Sequence, residues 1–258
     1  KRKGTMPSGG PSGHLTSFRG GMQTLIDRMS KSLEGHIRCN ATVRELIYQQ
    51  GEYAIKAEEI NEPLRADAVV LACPAHSAAS ILNTLEPALS HLLAQIEYPP
   101  LAVVCLGYER KAIDHSLDGF GFLAPRGEGL RMLGSLWTSS IFPERSPKDR
   151  SLLRIMIGGA RDTDILDLDD GQLTRQVCNE LHPLLQIHSP PCFVRVFRHS
   201  QAIPQYTIGH AESLRKMDNY LAKRPGLFLT GNAYRGIGVN DCIKNAWEVA
   251  GQVLEKLG

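Results

Sequence analysis

The sequence predicts a fold of mixed class, α/β at the two ends of the chain and α+β in the middle. Three observations carry this. In the first third, the continuous apolar run Ala68-Val69-Val70-Leu71-Ala72 reads as a strand covered on both faces. Near the end, Leu227-Phe228-Leu229-Thr230 leads through a glycine-rich stretch into an amphipathic helix, a strand–turn–helix unit of α/β style. Between them, from Leu101, strand-like runs are separated by Asp, Gly, Pro and Arg clusters, the texture of an antiparallel sheet.

The elements follow in order. Gly20-Gly21 opens a helix in which Met22, Leu25, Ile26, Met29 and Leu33 fall at helical spacing, and Gly35 stops it. Strands are expected at 36–39, 42–50 and 53–57, the last two joined around Gly51 as a hairpin. Pro74 ends the apolar run, and helical stretches follow near 75–83 and 86–96. The antiparallel texture places strands at 101–109, 119–124, 131–137 and 152–158. A helix near 169–186 starts with Asp169 and Asp170 at its positive end, and 192–198 forms another strand. Residues 210–223 are helical, 231–240 a loop, and 241–257 a helix with Ile243, Ala246, Trp247, Ala250, Val253 and Leu254 on one face.

Composition excludes several classes. The 258 residues suffice for one large domain or two modest ones. With 42% hydrophobic and 22% charged residues and a net charge of +2, nothing points to nucleic acid. Six cysteines occur, none spaced as Cys-x-x-Cys, and they are expected to be buried, reduced thiols of an intracellular protein. No apolar run approaches the ~18 residues of a membrane span. The basic start Lys1-Arg2-Lys3 is followed by Pro, Ser and Gly instead of an apolar stretch, so it does not read as a signal peptide. Asp167, Asp169 and Asp170 read as solvated helix-start charges, and His210 as a cap or packing residue.

The chemistry concentrates in Gly231-Asn232-Ala233-Tyr234-Arg235-Gly236-Ile237-Gly238-Val239-Asn240-Asp241-Cys242-Ile243. Glycines here let a backbone bend or approach a ligand, and the first turn of the following helix leaves N–H groups that attract electron-rich oxygen. A nucleotide phosphate or a flavin carbonyl edge suits that place. So does an ordinary strand–turn–helix connection, and spacing alone does not separate the two.

That run closely resembles the C-terminal FAD motif of protoporphyrinogen oxidases, within the amine-oxidase-like flavoprotein superfamily. Three further blocks carry the resemblance. They are Phe18-Arg19-Gly20-Gly21-Met22, the pair Gly119–Pro125 and Leu133–Pro147, and Ala202-Ile203-Pro204-Gln205-Tyr206 with Gly209-His210. The resemblance implies a partial FAD-binding Rossmann-like domain with an inserted antiparallel-sheet substrate domain. The expected division is 1–75 and 199–258 for FAD and 76–198 for substrate. It implies that Val43 meets the adenine end, and that Gly231, Asn232, Ile237, Gly238 and Val239 lie against the flavin and its linker. It places Leu123, Leu136 and Met156 on the apolar walls that hold a flat tetrapyrrole. Met156 aligns with a position that is aromatic in some relatives.

The implied activity is FAD-dependent oxidation of protoporphyrinogen IX to protoporphyrin IX, with O2 or another electron acceptor as partner. The implied location is cytoplasmic, with peripheral membrane contact left open. Coproporphyrinogen III, with four propionates, is the alternative substrate. A carotenoid desaturase-like flavoenzyme and an inactive fragment are the other readings. No catalytic acid–base residue is assigned, since a flavin carries the hydride chemistry itself. The superfamily's Gly-x-Gly-x-x-Gly turn and ribose-binding acid do not occur in the sequence, so the resemblance is to the C-terminal half, with the N-terminal half of the same protein as an expected partner.

Overall fold

The computed structural model describes residues 15–258. The basic start and the Gly/Pro/Ser opening lie outside the described residues. In chain order the elements are α1 (Gln23–Ser32), β1 (Val43–Gln49), β2 (Glu52–Ala57), β3 (Leu64–Ala66), β4 (Val69–Leu71), α2 (Ala75–Leu82) and α3 (Pro87–Ala94). They continue with β5 (Leu101–Glu109), β6 (Gly121–Leu123), β7 (Met132–Trp137), the single turn α4 (Thr138–Ile141) and β8 (Arg150–Gly158). The chain ends with α5 (Asp170–Leu185), β9 (Phe193–His199), α6 (His210–Leu221), β10 (Leu227–Leu229) and α7 (Val239–Leu257).

Two compact units result. One joins the segment ending at Leu33 to Pro99–Ala202, and the other joins Glu34–Tyr98 to Ile203–Gly258. The divisions therefore fall at 33/34, 98/99 and 202/203, where the sequence placed them at 75/76 and 198/199. Side chains explain the first difference. The Arg145 guanidinium donates to the Phe18 carbonyl (2.8 Å) and the Ser17 hydroxyl (3.0 Å), and Arg19 pairs with Glu144. These contacts tie the start of the described chain to the middle segment.

The first unit is built on a five-stranded antiparallel sheet in the order β6-β7-β8-β5-β9. Strand alternation sorts its residues cleanly. Ala102, Val104, Leu106 and Tyr108 on β5, with Leu153, Ile155 and Ile157 on β8, point to one face and are fully buried. α5 covers that face with Leu173, Val177, Leu181 and Leu185, spaced by four so that they share a stripe. Each such side chain contributes about 1.5–3 kcal/mol by leaving water. The helix starts where it does because Asp169 and Gln172 cap each other, at 2.7 and 2.8 Å. Asp170 pairs with Arg198 at 2.7 Å, so these acids act at the helix start.

The second unit holds the hairpin β1–β2, extended by β3, and the parallel pair β4–β10. Gln50 and Gly51 both have positive φ (54° and 90°), the two-residue turn whose twist matches a hairpin. Gly226, just before β10, has φ +88°, and an added Cβ there would lie 2.5 Å from the Asp67 carbonyl oxygen. Leu46, Tyr53, Leu71, Leu82, Leu89, Leu93, Met217 and Leu227 form the core of this unit. The Tyr53 hydroxyl donates to the Pro225 carbonyl at 3.0 Å, and burial pushes its pKa up to about 12.

Several expectations are corrected. Residues 36–39 form no strand, and β3 was not foreseen. Val70 is 41% exposed, so among the described residues β4 is covered on one face only. α7 begins at Val239 instead of 241. None of the six cysteines is buried, and Cys39 and Cys192 are exposed. An apolar neighbourhood in sequence does not bury a thiol when alternation turns it to the open side of a sheet, as at Cys105.

Candidate functional site

The glycine-rich stretch leaves β10 at Leu229 and enters α7 at Val239. Gly231 (φ +118°) and Gly236 (φ +131°) take backbone conformations that side chains disfavour. At Gly236 the demand is also steric, since a Cβ would sit 2.4 Å from the Asp241 Cβ. Gly238 differs. Its φ of −67° and ψ of 151° are open to any residue, so the demand for a glycine backbone falls on Gly231 and Gly236. A Cβ at Gly238 would meet Asp241 Oδ2 at 3.0 Å.

The turn is held by two aromatic rings from the start of α6 and the residues before it. The Tyr206 hydroxyl donates to the Asn232 carbonyl (2.8 Å) and accepts from the Gly236 N–H (2.8 Å). His210 Nε2 donates to the Tyr234 carbonyl at 3.0 Å, which fixes the proton on that nitrogen because a carbonyl only accepts. The two rings stack with centroids 4.1 Å apart. Arg235 forms two 2.7 Å bonds to Asp218, and the Asn245 amide donates to the Arg235 carbonyl. Sequence reasoning missed this clamp. Its partners lie more than twenty residues apart, and only their shared motif block hinted at a role.

The turn's outer side is apolar, with Ile237 at 44% and Val239 at 54% exposure. The first α7 bond runs from the Cys242 N–H to the Gly238 carbonyl (3.0 Å), so the N–H groups before it precede the helix ladder. Asp241 folds back toward the Gly238 N–H at 3.3 Å. Its negative charge at the helix start favours an uncharged carbonyl edge over a phosphate there. Beside the turn, Thr230 Oγ1 and the Tyr234 hydroxyl are buried without a hydrogen-bond partner among the described residues. Burial also drives the Tyr234 hydroxyl pKa well above the ordinary range. Val43 opens β1 at a register irregularity and packs half-buried against the core of the same unit.

The other candidate residues lie on the five-stranded sheet. Leu123 pairs with Gly134, Gly134 with Met156, Met156 with Val103 and Val103 with Phe197, one row across all five strands. Leu136 faces Gly121 two residues along. All three candidates lie on the face turned away from the α5-covered core. Leu123 is 78% exposed, and Leu136 and Met156 are half-buried. Gly134 brings Leu123 close in, with its Cδ2 3.3 Å from where a Cβ would be. The structure thus gathers Leu123, Leu136 and Met156 on one apolar wall, and Gly231, Asn232, Ile237, Gly238 and Val239 on one turn. Among the described residues, no group of His, Cys, Asp and Glu side chains has the geometry to hold a metal.

A bent glycine turn before an amphipathic helix, in a chain that also carries an antiparallel sheet with an open apolar face, is compatible with a flavin oxidoreductase of the amine-oxidase type. Residues 5–254 match the family described as flavin containing amine oxidoreductase, and the chain belongs to that family. Within it, the chain is similar to the chloroplastic protoporphyrinogen oxidase of Nicotiana tabacum, 34% identical over 92% of this chain and 46% of the relative. It is also similar to the coproporphyrinogen III oxidase of Bacillus subtilis (strain 168), 29% identical over 90% of this chain and 49% of the relative. A crystal structure from Exiguobacterium sp. 255-15 superposes with a TM-score of 0.78 at 26% identity, over 93% of this chain and 52% of that one. The chain spans about half the length of the curated relatives it matches. Membership brings FAD as cofactor. The turn fits such a group through its close-approach glycines, exposed apolar flank and partnerless buried hydroxyls.

Proposed function

We propose that this chain is the C-terminal portion of an FAD-dependent porphyrinogen oxidase acting on protoporphyrinogen IX to give protoporphyrin IX. In this reading the unit of Glu34–Tyr98 and Ile203–Gly258 contributes to a Rossmann-like FAD domain. The unit built on the five-stranded sheet is the substrate domain. The observation that carries the reading is the common open face of Leu123, Leu136 and Met156, since a tetrapyrrole is a large apolar disc and needs an apolar wall.

The flavin supplies hydride acceptance when bound, and O2 or another electron acceptor reoxidises it. This chain's residues bind and orient. Ile237 and Val239 offer apolar contact beside the turn, Tyr206 and His210 hold the turn's carbonyls, Asn232 lies against the flavin, and Gly231 and Gly238 let the backbone approach it. Val43 meets the adenine end of the cofactor. Leu123, Leu136 and Met156 orient the substrate ring and exclude water from it. The other half of the same protein is a required partner, in keeping with the bare apolar stripe of α7. The reading places the enzyme in the cytoplasm and leaves peripheral membrane contact open. No helix among the described residues is long and apolar enough to cross a membrane.

The test compares this chain with the full-length protein. The chain alone should purify without flavin absorbance. The full-length protein should hold FAD and turn non-fluorescent protoporphyrinogen into fluorescent porphyrin. A flavin-loaded full-length protein that oxidises neither protoporphyrinogen nor coproporphyrinogen would overturn the reading.

A further inference from the structure

A second row lies beside the apolar one on the open sheet face. It runs Gly121, Leu136, Arg154, Cys105 and Arg195 through consecutive strand pairings. Alternation fixes its direction. Leu153 and Ile155 on either side of Arg154 are fully buried on the opposite face, and Val196 beside Arg195 packs toward that same core. Arg154 and Arg195 therefore rise from the face that carries Leu123 and Met156. Both stand close to the Cys105 thiol. Burial pushes that thiol's pKa up, and the charges of Arg154 and Arg195 pull it partly back.

Neither guanidinium has a carboxylate partner among the described residues. The contrast with their neighbours is direct. Arg131 pairs with Asp162, Arg198 pairs with Asp170, and Arg110 is spent on three backbone carbonyls. Arg195 instead leans over the Phe197 ring, 5.3 Å from its centroid. Two cations held on a largely apolar face without counter-ions complement one ligand chemistry, an apolar body with carboxylate arms.

Spacing limits the pair to one or two arms. The arginine row lies two residues along the strands from the Met156 row, about 7 Å. β8 and β9 are separated by β5, so the two arginine backbones stand about 10 Å apart. Arginine side chains are long enough to meet over the strand between them or to spread apart, so the pair can take one carboxylate together or one each.

Resting on the porphyrinogen reading above, we propose that Arg154 and Arg195 form a carboxylate-binding subsite on the substrate wall that takes propionate arms of the porphyrinogen. A tetrapyrrole with four propionates presents an arm to this pair in every in-plane orientation, whereas one with two does so only when its propionate edge faces the arginines. The pair therefore adds to the binding of coproporphyrinogen in every orientation and to that of protoporphyrinogen in some.

The experiment uses the full-length flavin-loaded protein and its variants R154Q, R195Q, the double R154Q/R195Q and the double R154K/R195K. KM and kcat are measured on protoporphyrinogen IX, coproporphyrinogen III and the fully methyl-esterified form of each. The double Gln variant should raise KM for coproporphyrinogen by on the order of ten-fold or more, the worth of one charge-assisted hydrogen bond. It should raise KM for protoporphyrinogen less, leave the esters unchanged, and keep flavin content and thermal midpoint. The double Lys variant should recover part of the loss, since charge remains and the fork is gone. Unchanged KM on both free acids, with wild-type turnover intact, would overturn the arginine assignment alone. Equal losses on acids and esters would also overturn it, as a packing effect. Absence of wild-type turnover on either porphyrinogen would overturn the functional reading and this inference with it.

Discussion

In α5 the stripe of Leu173, Val177, Leu181 and Leu185 is between 0% and 2% exposed, whereas in α7 Ile243, Trp247 and Leu254 stand at 56%, 82% and 70%. Both helices show apolar residues at helical spacing, and both begin with an acid near the N-terminus. Periodicity therefore marks the face that favours burial and does not locate the surface that buries it. For α5 the surface is the back of the five-stranded sheet, in the same unit. For α7 no element among the described residues covers the stripe. A contiguous exposed apolar face of this kind is a docking surface in the making.

The largest expected effect separates the two helices. Leu181→Ala should cost about 2–5 kcal/mol of stability, since it opens a cavity in a closed core. Trp247→Ala in this chain alone should change stability by less than about 0.5 kcal/mol. Urea denaturation of the two variants measures both. If the other half of the protein covers the ring, the same Trp247→Ala should cost about 3–5 kcal/mol in the full-length protein. Equal losses in the isolated chain would remove the contrast. A silent Trp247→Ala in the full-length protein would show that α7 stays bare.

A middle-sized effect separates two glycines of one turn. Gly236→Ala should destabilise by about 1–3 kcal/mol and release the flavin from the full-length protein, because its φ of +131° and the Asp241 side chain leave no room. Gly238→Ala should destabilise less, since only the Asp241 carboxylate has to move. Gly238→Leu should still expel the flavin by filling the approach to the helix start. Flavin content after desalting, with the thermal midpoint, reads these changes. The reverse order, with Gly238→Ala the more damaging, would return the conformational demand to Gly238.

Much of this was legible beforehand. The hairpin at Gly51, the strands of the antiparallel sheet and the helices of both units come from local signals, because period and turn chemistry act over a few residues. The Gly231–Ile243 turn was legible as a turn for the same reason. The segment around Phe18 and α1 was misgrouped, since its tie to Arg145 and Glu144 joins residues more than a hundred positions apart. The Tyr206–His210 clamp and the Arg154–Arg195 row stayed hidden for a related reason. Sheet register and chain reversal, not spacing, bring those side chains together. Gly238 and Gly236 look equivalent in sequence, and only backbone angles tell them apart.

The smallest expected stability effect tests the two faces of the five-stranded sheet against each other. Leu153 and Leu123 are both leucines on strands of this sheet, one fully buried and one 78% exposed. Leu123→Ala removes little surface already withdrawn from water, so the thermal midpoint should stay within the range of an ordinary surface change, about 0.5 kcal/mol. If Leu123 forms the substrate wall, the loss appears only when substrate binds. Porphyrinogen affinity should then fall by about 1–3 kcal/mol, roughly ten-fold or more in KM, because the side chain is buried in the complex and not before it. Leu136→Ala, half-buried from the start, should divide its cost between the two readouts. Leu153→Ala should do the opposite of Leu123→Ala, with about 2–5 kcal/mol lost in stability and KM unchanged. These measurements belong in the full-length flavin-loaded protein, with midpoint and porphyrinogen kinetics taken on the same preparations. A Leu123→Ala protein with normal KM and a lowered midpoint would return Leu123 to the sheet's packing, and the substrate wall would lose its most exposed member.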